Sequence, residues 1–326
     1  MTFLYTQTEK QLYSNYFFIK NYYYSFILNS NNTISLQVSD TNGEIYSNQI
    51  LANISTSVLE DFKFNDKYLF LSIAGYCFLF DISDLKNPNF INSLIGVSTK
   101  NIGAFDAYGN IFAGFFSYNQ IRVYNESLSE KYIIFTSGNV NDIVIFNNFL
   151  IACTTAGIFI YSYINGSYKN VSSYSQTFSE AYKIIIYENY LIILNTNGAS
   201  LIYDISNLSS ISFHSNFSTI PNLTEYFNCE NYNNFLLVSS DYEAVIYDLS
   251  NINSINNLFN LPLSGVEFQY PNSNINNNQF AINNLIYSYL LTNNQIYGNY
   301  RLNSNPDFSS LINHSRPISA IGKFKS

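Results

Sequence analysis

Tryptophan is absent from this chain, methionine occurs once, and its 326 residues include only two histidines and three cysteines. These shortages already narrow the chemistry. A Ser/His/Asp triad or a histidine metal centre would have to use His214 or His314, and neither has a motif around it. Cys77, Cys153 and Cys229 lie 76 residues apart at each step, far from any CxxC metal or redox spacing, and no haem CxxCH is present. Cys77 and Cys153 sit inside apolar runs, which predicts buried, inert thiols. Glycine (13) and proline (6) are too few for a collagen-like or linker segment. No GxGxxG, GxxxxGK[ST] or EF-hand-like pattern occurs, so the reading calls for no cofactor and no metal.

Charge is also scarce, at 11% of residues against an average near 25%. The 14 basic residues never form a run and the net charge is −8, which excludes a nucleic-acid interface and an anionic membrane surface. Asn, Ile, Tyr and Phe are all favoured by A/T-rich codons. So is Lys, yet it numbers only 11. A Tyr/Asn/Ser surface insensitive to pH and salt suits a harsh exterior. Residues 1–10 (MTFLYTQTEK) lack the basic and apolar parts of a signal peptide. The uncharged stretch Phe149 to Ile164 is short for a membrane span and reads as strands. The expected location is therefore cytoplasmic or virion-associated, with the cell surface open.

What is abundant is 30 Tyr, 28 Phe, 50 Asn and 42 Ser, with 47% apolar residues, enough to exclude disorder. Much of this sits in a repeat. The clearest copies are YLFLSIAGYCFLFDISD (68–84), LIILNTNGASLIYDISN (191–207) and FLLVSSDYEAVIYDLSN (235–251), with weaker copies starting at Tyr24, Phe112, Phe149 and Leu285. Two columns run through all seven without gaps. The first is Tyr24, Tyr68, Phe112, Phe149, Leu191, Phe235 and Leu285. The second, twelve residues later, is Leu36, Phe80, Tyr124, Tyr161, Tyr203, Tyr247 and Tyr297, and its bulky side chains are expected to be buried.

Each copy has two apolar runs of five or six residues around turn residues, the length and composition of paired strands rather than helices. A further run precedes each copy, as at 61–64, 142–146 and 183–187. Another follows, as at 90–94, 132–135 and 211–213. Four antiparallel strands repeating at 40–50 residues are the blades of a β-propeller. The prediction is all-β: one seven-bladed β-propeller domain over 1–326. Its blades fall near 15–58, 59–102, 103–139, 140–181, 182–225, 226–275 and 276–326, the last closed with 1–14. Closure predicts a strand at 1–7 beside residues 308–312. The second run ends in Asp-Ile-Ser or Asp-Leu-Ser at Asp81, Asp204 and Asp248, where Asp oxygens are expected to hold backbone N–H groups of a tight turn.

The strand start, the turn and the run into Asp-Ile-Ser resemble the LVIVD repeat, a propeller repeat related in shape to WD40. The resemblance implies a propeller and names no catalytic residue. Only Leu85-Lys86-Asn87-Pro88 carries the proline that follows the motif in that family, and the Trp-Asp signature of WD40 is missing.

Seven residues before the first column stand Phe17, Asp61, Phe105, Asp142, Ile184, Asn228 and Asn278, with Glu60 beside Asp61. On inner strands, Glu60, Asp61, Asp142, Asn228 and Asn278 become candidates for a ligand site in the central channel. Nine Asn-X-Ser/Thr sequons occur, as many as composition alone predicts. The functional expectation is a non-enzymatic scaffold binding another protein or a surface ligand, with a virion or cell-surface adhesion component as the alternative. A second alternative is an enzyme whose site lies at the channel mouth.

Overall fold

The computed structural model describes residues 11–301, less segments 20–21, 30–32, 41–43, 54–58, 74–75, 96–100, 116–118, 177, 179–180, 196–197, 220–227, 240–242, 263–272, 276–278, 283–284 and 291–294. The described chain is all-β, with four-stranded antiparallel sheets arranged as a β-propeller. Seven such sheets follow one another, over 11–53, 59–95, 101–135, 140–175, 181–218, 228–262 and 273–301. In each, the strands pair in sequence order.

The chain divides into two compact units. One holds the second to fifth sheets, and the other holds the first, sixth and seventh together with residues 84–88. In the four-sheet unit the first strands pack on one another: Val140–Phe146 lies against both Asn101–Phe105 and Ala181–Tyr187. These are its inner strands. In the three-sheet unit Ser273–Ile275 packs against Gln11–Ile19 and Asn228–Tyr232.

The fourth sheet shows why its strands are almost wholly apolar. Leu150, Ala152 and Tyr161 face the third sheet and join Phe112, Ile121 and Val123. Ile151, Cys153, Ile158 and Ile160 face the fifth sheet and join Leu191, Ile193 and Tyr203. Strands covered on both faces have no polar side to alternate with. The uncharged stretch 149–164 is thus two sheet strands, Phe149–Thr154 and Gly157–Ile164. Among the described residues no helix is long and apolar enough to cross a membrane. All three cysteines are buried thiols, and burial pushes Cys153 well above its ordinary value.

The second column is buried as expected. Leu36, Phe80, Tyr124, Tyr161, Tyr203 and Tyr247 are each 4% exposed or less, and the Tyr297 side chain lies outside the described residues. A backbone device recurs with it. In five sheets the register between third and fourth strands shifts immediately before the column residue, at Leu79/Phe80, Val123/Tyr124, Ile160/Tyr161, Ile202/Tyr203 and Ile246/Tyr247. The extra residue is on the fourth strand: Ile91, Lys131, Val171, His214 and Leu258. Such bulges twist an outer strand and spoil it as a template for edge pairing. The device matters here because outer strands carry exposed Phe90, Phe135, Val171 and Phe213. In the first sheet the register between third and fourth strands shifts twice, at Ile34/Ser35 and at Val38/Ser39.

The Asp-Ile-Ser turns form as expected. Asp81, Asp204 and Asp248 each accept the backbone N–H two residues on, from Ser83, Ser206 and Ser250, all at 2.8 Å. Asp84, Asn207 and Asn251 then do the same for Lys86, Ser209 and Asn253. Asn125 replaces Asp in the third sheet and holds Ser127 N and Ser129 N at 3.0 and 2.9 Å.

These bonds favour the ionised carboxylate. The Ser83 and Ser206 bonds lower Asp81 and Asp204 below the ordinary 3.8, and the Asn87 bond does so for Asp84. A depressed folded-state value gives stability that is present above the unfolded value and lost as pH falls through the folded one. We therefore expect Asp81→Asn with Asp204→Asn to flatten the fall of melting temperature below about pH 4. Thermal melts across that range check this; parallel curves for variant and wild type would assign the acid loss elsewhere.

The expected closure needs one correction. Residues 11–14 do not belong to the last sheet: Gln11, Tyr13 and Ser14 pair with Asn29, Leu28 and Ile27 in the first. The last sheet draws its four strands from 273–301. The expected strands at 1–7 and 308–312 lie outside the described residues.

Candidate functional site

The inner strands of the fourth and fifth sheets each carry a bulge near their start. It falls between Val140 and Asp142 in one and between Ala181 and Lys183 in the other. Asp142 lies opposite Cys153, and Lys183 opposite Leu194. Counted from the bulges, Asp142 and Lys183 hold equivalent positions on neighbouring inner strands. They are 1% and 3% exposed. A buried charge is costly unless it is paired and hydrogen-bonded, so two at one register are not incidental to packing.

The Asp142 carboxylate is turned into the seam. One oxygen accepts Ile143 N at 2.9 Å, and the other accepts Ile184 N of the next sheet at 2.9 Å. That second bond lands on the residue following Lys183. Beside it, Asn141 Nδ2 donates to Phe178 O at 3.0 Å, and Phe178 N donates to Thr155 O at 3.3 Å. Asp142 is thus held by backbone and serves to fix the fifth sheet's inner strand, with the Lys183 position, against the fourth.

The sequence column placed Ile184 where the structure places Lys183. Both inner strands carry the same bulge, so the offset arises later: the connection between the second and third strands is one residue longer in the fifth sheet than in the fourth, and the ungapped column therefore took Leu191 where Tyr190 is the equivalent of Phe149. A signal was present: in a chain with 11 lysines, Lys183 interrupts the apolar run AYKIIIY. Glu60 and Asp61 lie on Leu59–Phe64, the first strand of the second sheet, as Asp142 and Lys183 lie on the first strands of theirs, and within the same unit. Asn228 opens the first strand of the sixth sheet, opposite Ser239. The side chains of Glu60, Asp61 and Asn228 and the whole of Asn278 lie outside the described residues. His214 is the bulge residue of an outer strand, with its ring 4.9 Å from that of Tyr190, and His314 lies outside the described residues.

A second polar centre joins the third and fourth sheets. Asp106 accepts Tyr108 N and Asn110 N at 2.9 and 2.7 Å through one oxygen. Through the other it accepts Asn110 Nδ2 at 2.6 Å and the Tyr168 hydroxyl at 2.8 Å. Lys131 Nζ donates to Asn110 Oδ1 at 2.6 Å. Burial, then Asp106, pushes Tyr168 well above the ordinary phenol value. Both carboxylate oxygens are taken up within the protein, so the group works as a latch. Among the described residues no cluster of three or more His, Cys, Asp or Glu could hold a metal ion.

No family model and no curated protein sequence matches this chain. Solved structures do. The periplasmic gluconolactonase of Pseudomonas aeruginosa is similar over 90% of this chain and 96% of that one, at TM-score 0.64 and 10% identity. A protein described as a 6-phosphogluconolactonase of Bacteroides uniformis covers 74% of this chain and 82% of its own, at 0.55 and 13%. The computationally designed Ika8 protein covers 92% and 90%, at 0.56 and 13%. The likeness establishes the fold. Two of these neighbours are lactonases, which counts against the expectation of a non-enzymatic scaffold.

Proposed function

We propose that the chain is a propeller enzyme that hydrolyses a sugar lactone. The likeness to a gluconolactonase over nearly the whole of both chains carries the reading. Seven consecutive four-stranded sheets support their being seven blades of one ring, and the Asp-Ile-Ser sequence at its turns is what an LVIVD-type repeat would carry. Lactone opening needs a donor for the oxyanion that forms when water adds to the ring carbonyl, and a base for that water's proton. Lys183, buried on an inner strand, supplies the donor. Glu60 and Asp61, on the equivalent strand of the second sheet, supply the carboxylate base. Asp142 positions the strand bearing Lys183 through Ile184 N.

The test is a pH-stat assay of the full chain with gluconolactone and with its 6-phosphate. Acid release above the buffer rate is expected with one of them. Lys183→Met should lower kcat by about 10²–10³-fold, as for loss of an oxyanion donor, at unchanged melting temperature. No acceleration with either lactone overturns the reading.

A further inference from the structure

We propose that Asn165 is a site of spontaneous deamidation, a self-modification that opens the tip of the outer hairpin of the fourth sheet. It rests on the turn geometry alone and is independent of the lactonase reading. Ile164 and Ser167 are cross-strand partners, so Asn165 and Gly166 form the entire turn, with φ of 51° and 83°. In a two-residue hairpin the closing backbone bonds belong to the flanking pair, and the second turn residue's N–H takes no part in them. The nitrogen of Gly166 therefore lies beside the Asn165 side-chain amide with no ladder bond to break. Asn165 and Gly166 are both exposed, and a Cβ built on Gly166 would meet nothing within 4 Å.

In the reaction the Gly166 nitrogen gives up its proton and attacks Cγ of Asn165. The Cγ–Nδ2 bond breaks, ammonia leaves with that proton, and a succinimide ring remains. Water then opens the ring at either carbonyl, yielding Asp or isoaspartate. The sum is amide plus water to carboxylate plus ammonium, with no oxidation or reduction. The isoaspartyl product carries one extra atom in its main chain, which a two-residue turn between Ile164 and Ser167 cannot absorb.

Asn197-Gly198 provides a control within the same chain. Gly198 is buried, and its N–H donates to Asn195 O at 3.2 Å, so its nitrogen is engaged. The experiment incubates the folded full chain in mildly alkaline, ammonium-free buffer and maps peptides by mass over time. We expect the Asn165 peptide to gain the NH₂-to-OH mass increment at least roughly ten times faster than the Asn197 peptide, the two rates converging in denaturant, where backbone bonds no longer differ. Gly166→Asn, the side chain that best tolerates a left-handed turn, should slow the change while lowering the melting temperature only slightly. If that variant does not fold, the wild-type comparison of the two peptides decides. Equal folded-state rates, or an Asn165 peptide that keeps its mass while Asn197 converts, overturn the proposal.

Discussion

Tyr203→Ala should lower stability by about 3–5 kcal/mol, the cost of emptying a buried aromatic site. Tyr203 is fully buried and sits where three aromatic rings meet it edge-on: Tyr174 at 5.2 Å, Phe213 at 5.9 Å and Phe178 at 6.3 Å. Its hydroxyl donates to Gln176 Oε1 at 2.6 Å, joining its own strand to the segment that follows the fourth sheet. It also follows the bulge at which His214 is extruded, so the neighbouring backbone has little freedom to collapse into a void. Tyr203→Phe separates the two contributions. It keeps the ring and its contacts, loses one hydrogen bond, and should cost only about 0.5–1.5 kcal/mol. Denaturant midpoints for the two variants check this. An alanine variant within about 1 kcal/mol of wild type would show that the column is filler rather than the anchor of its sheet.

Why was this residue visible in the sequence, and Lys183 not? Tyr203 belongs to a column repeated at a constant offset, and a bulky side chain recurring at one phase has few explanations other than burial. The Asp-Ile-Ser turns were legible for a similar reason. Their side chains bond backbone only two residues away, so local sequence contains the whole interaction. Four strands per repeat followed from run lengths and turn residues. The bulges were not legible. An extra residue at the start of an inner strand leaves no mark on composition, yet it moves every later side chain by one place. For Lys183 the step lies in the connection between the second and third strands, one residue longer in the fifth sheet than in the fourth, which led the column to Ile184 where the structure places Lys183 level with Asp142. Function was least legible. A propeller hosts scaffolds and enzymes alike, and no catalytic motif separated them before the lactonase likeness was known.

Asp142 offers the sharpest test of how the inner strands are joined. Asp142→Ala removes both acceptors at once and leaves Ile143 N and Ile184 N to find partners in a buried setting. Each buried donor left unsatisfied costs about 1–3 kcal/mol, so a loss of about 2–6 kcal/mol is expected, with a matching fall in melting temperature. Asp142→Asn retains one carbonyl oxygen of the same reach and should recover about half of that loss. The pattern across three variants then separates positioning from chemistry. If Asp142 holds the strand that carries Lys183, its alanine variant loses stability together with any lactone hydrolysis, whereas Lys183→Met loses hydrolysis alone. Amide exchange at Ile184 gives a readout independent of catalysis: it should quicken in Asp142→Ala and stay near wild type in Lys183→Met. An Asp142→Ala protein that melts with the wild type, with Ile184 still protected, would mean that the two inner strands are held by packing and that the carboxylate is free for another role.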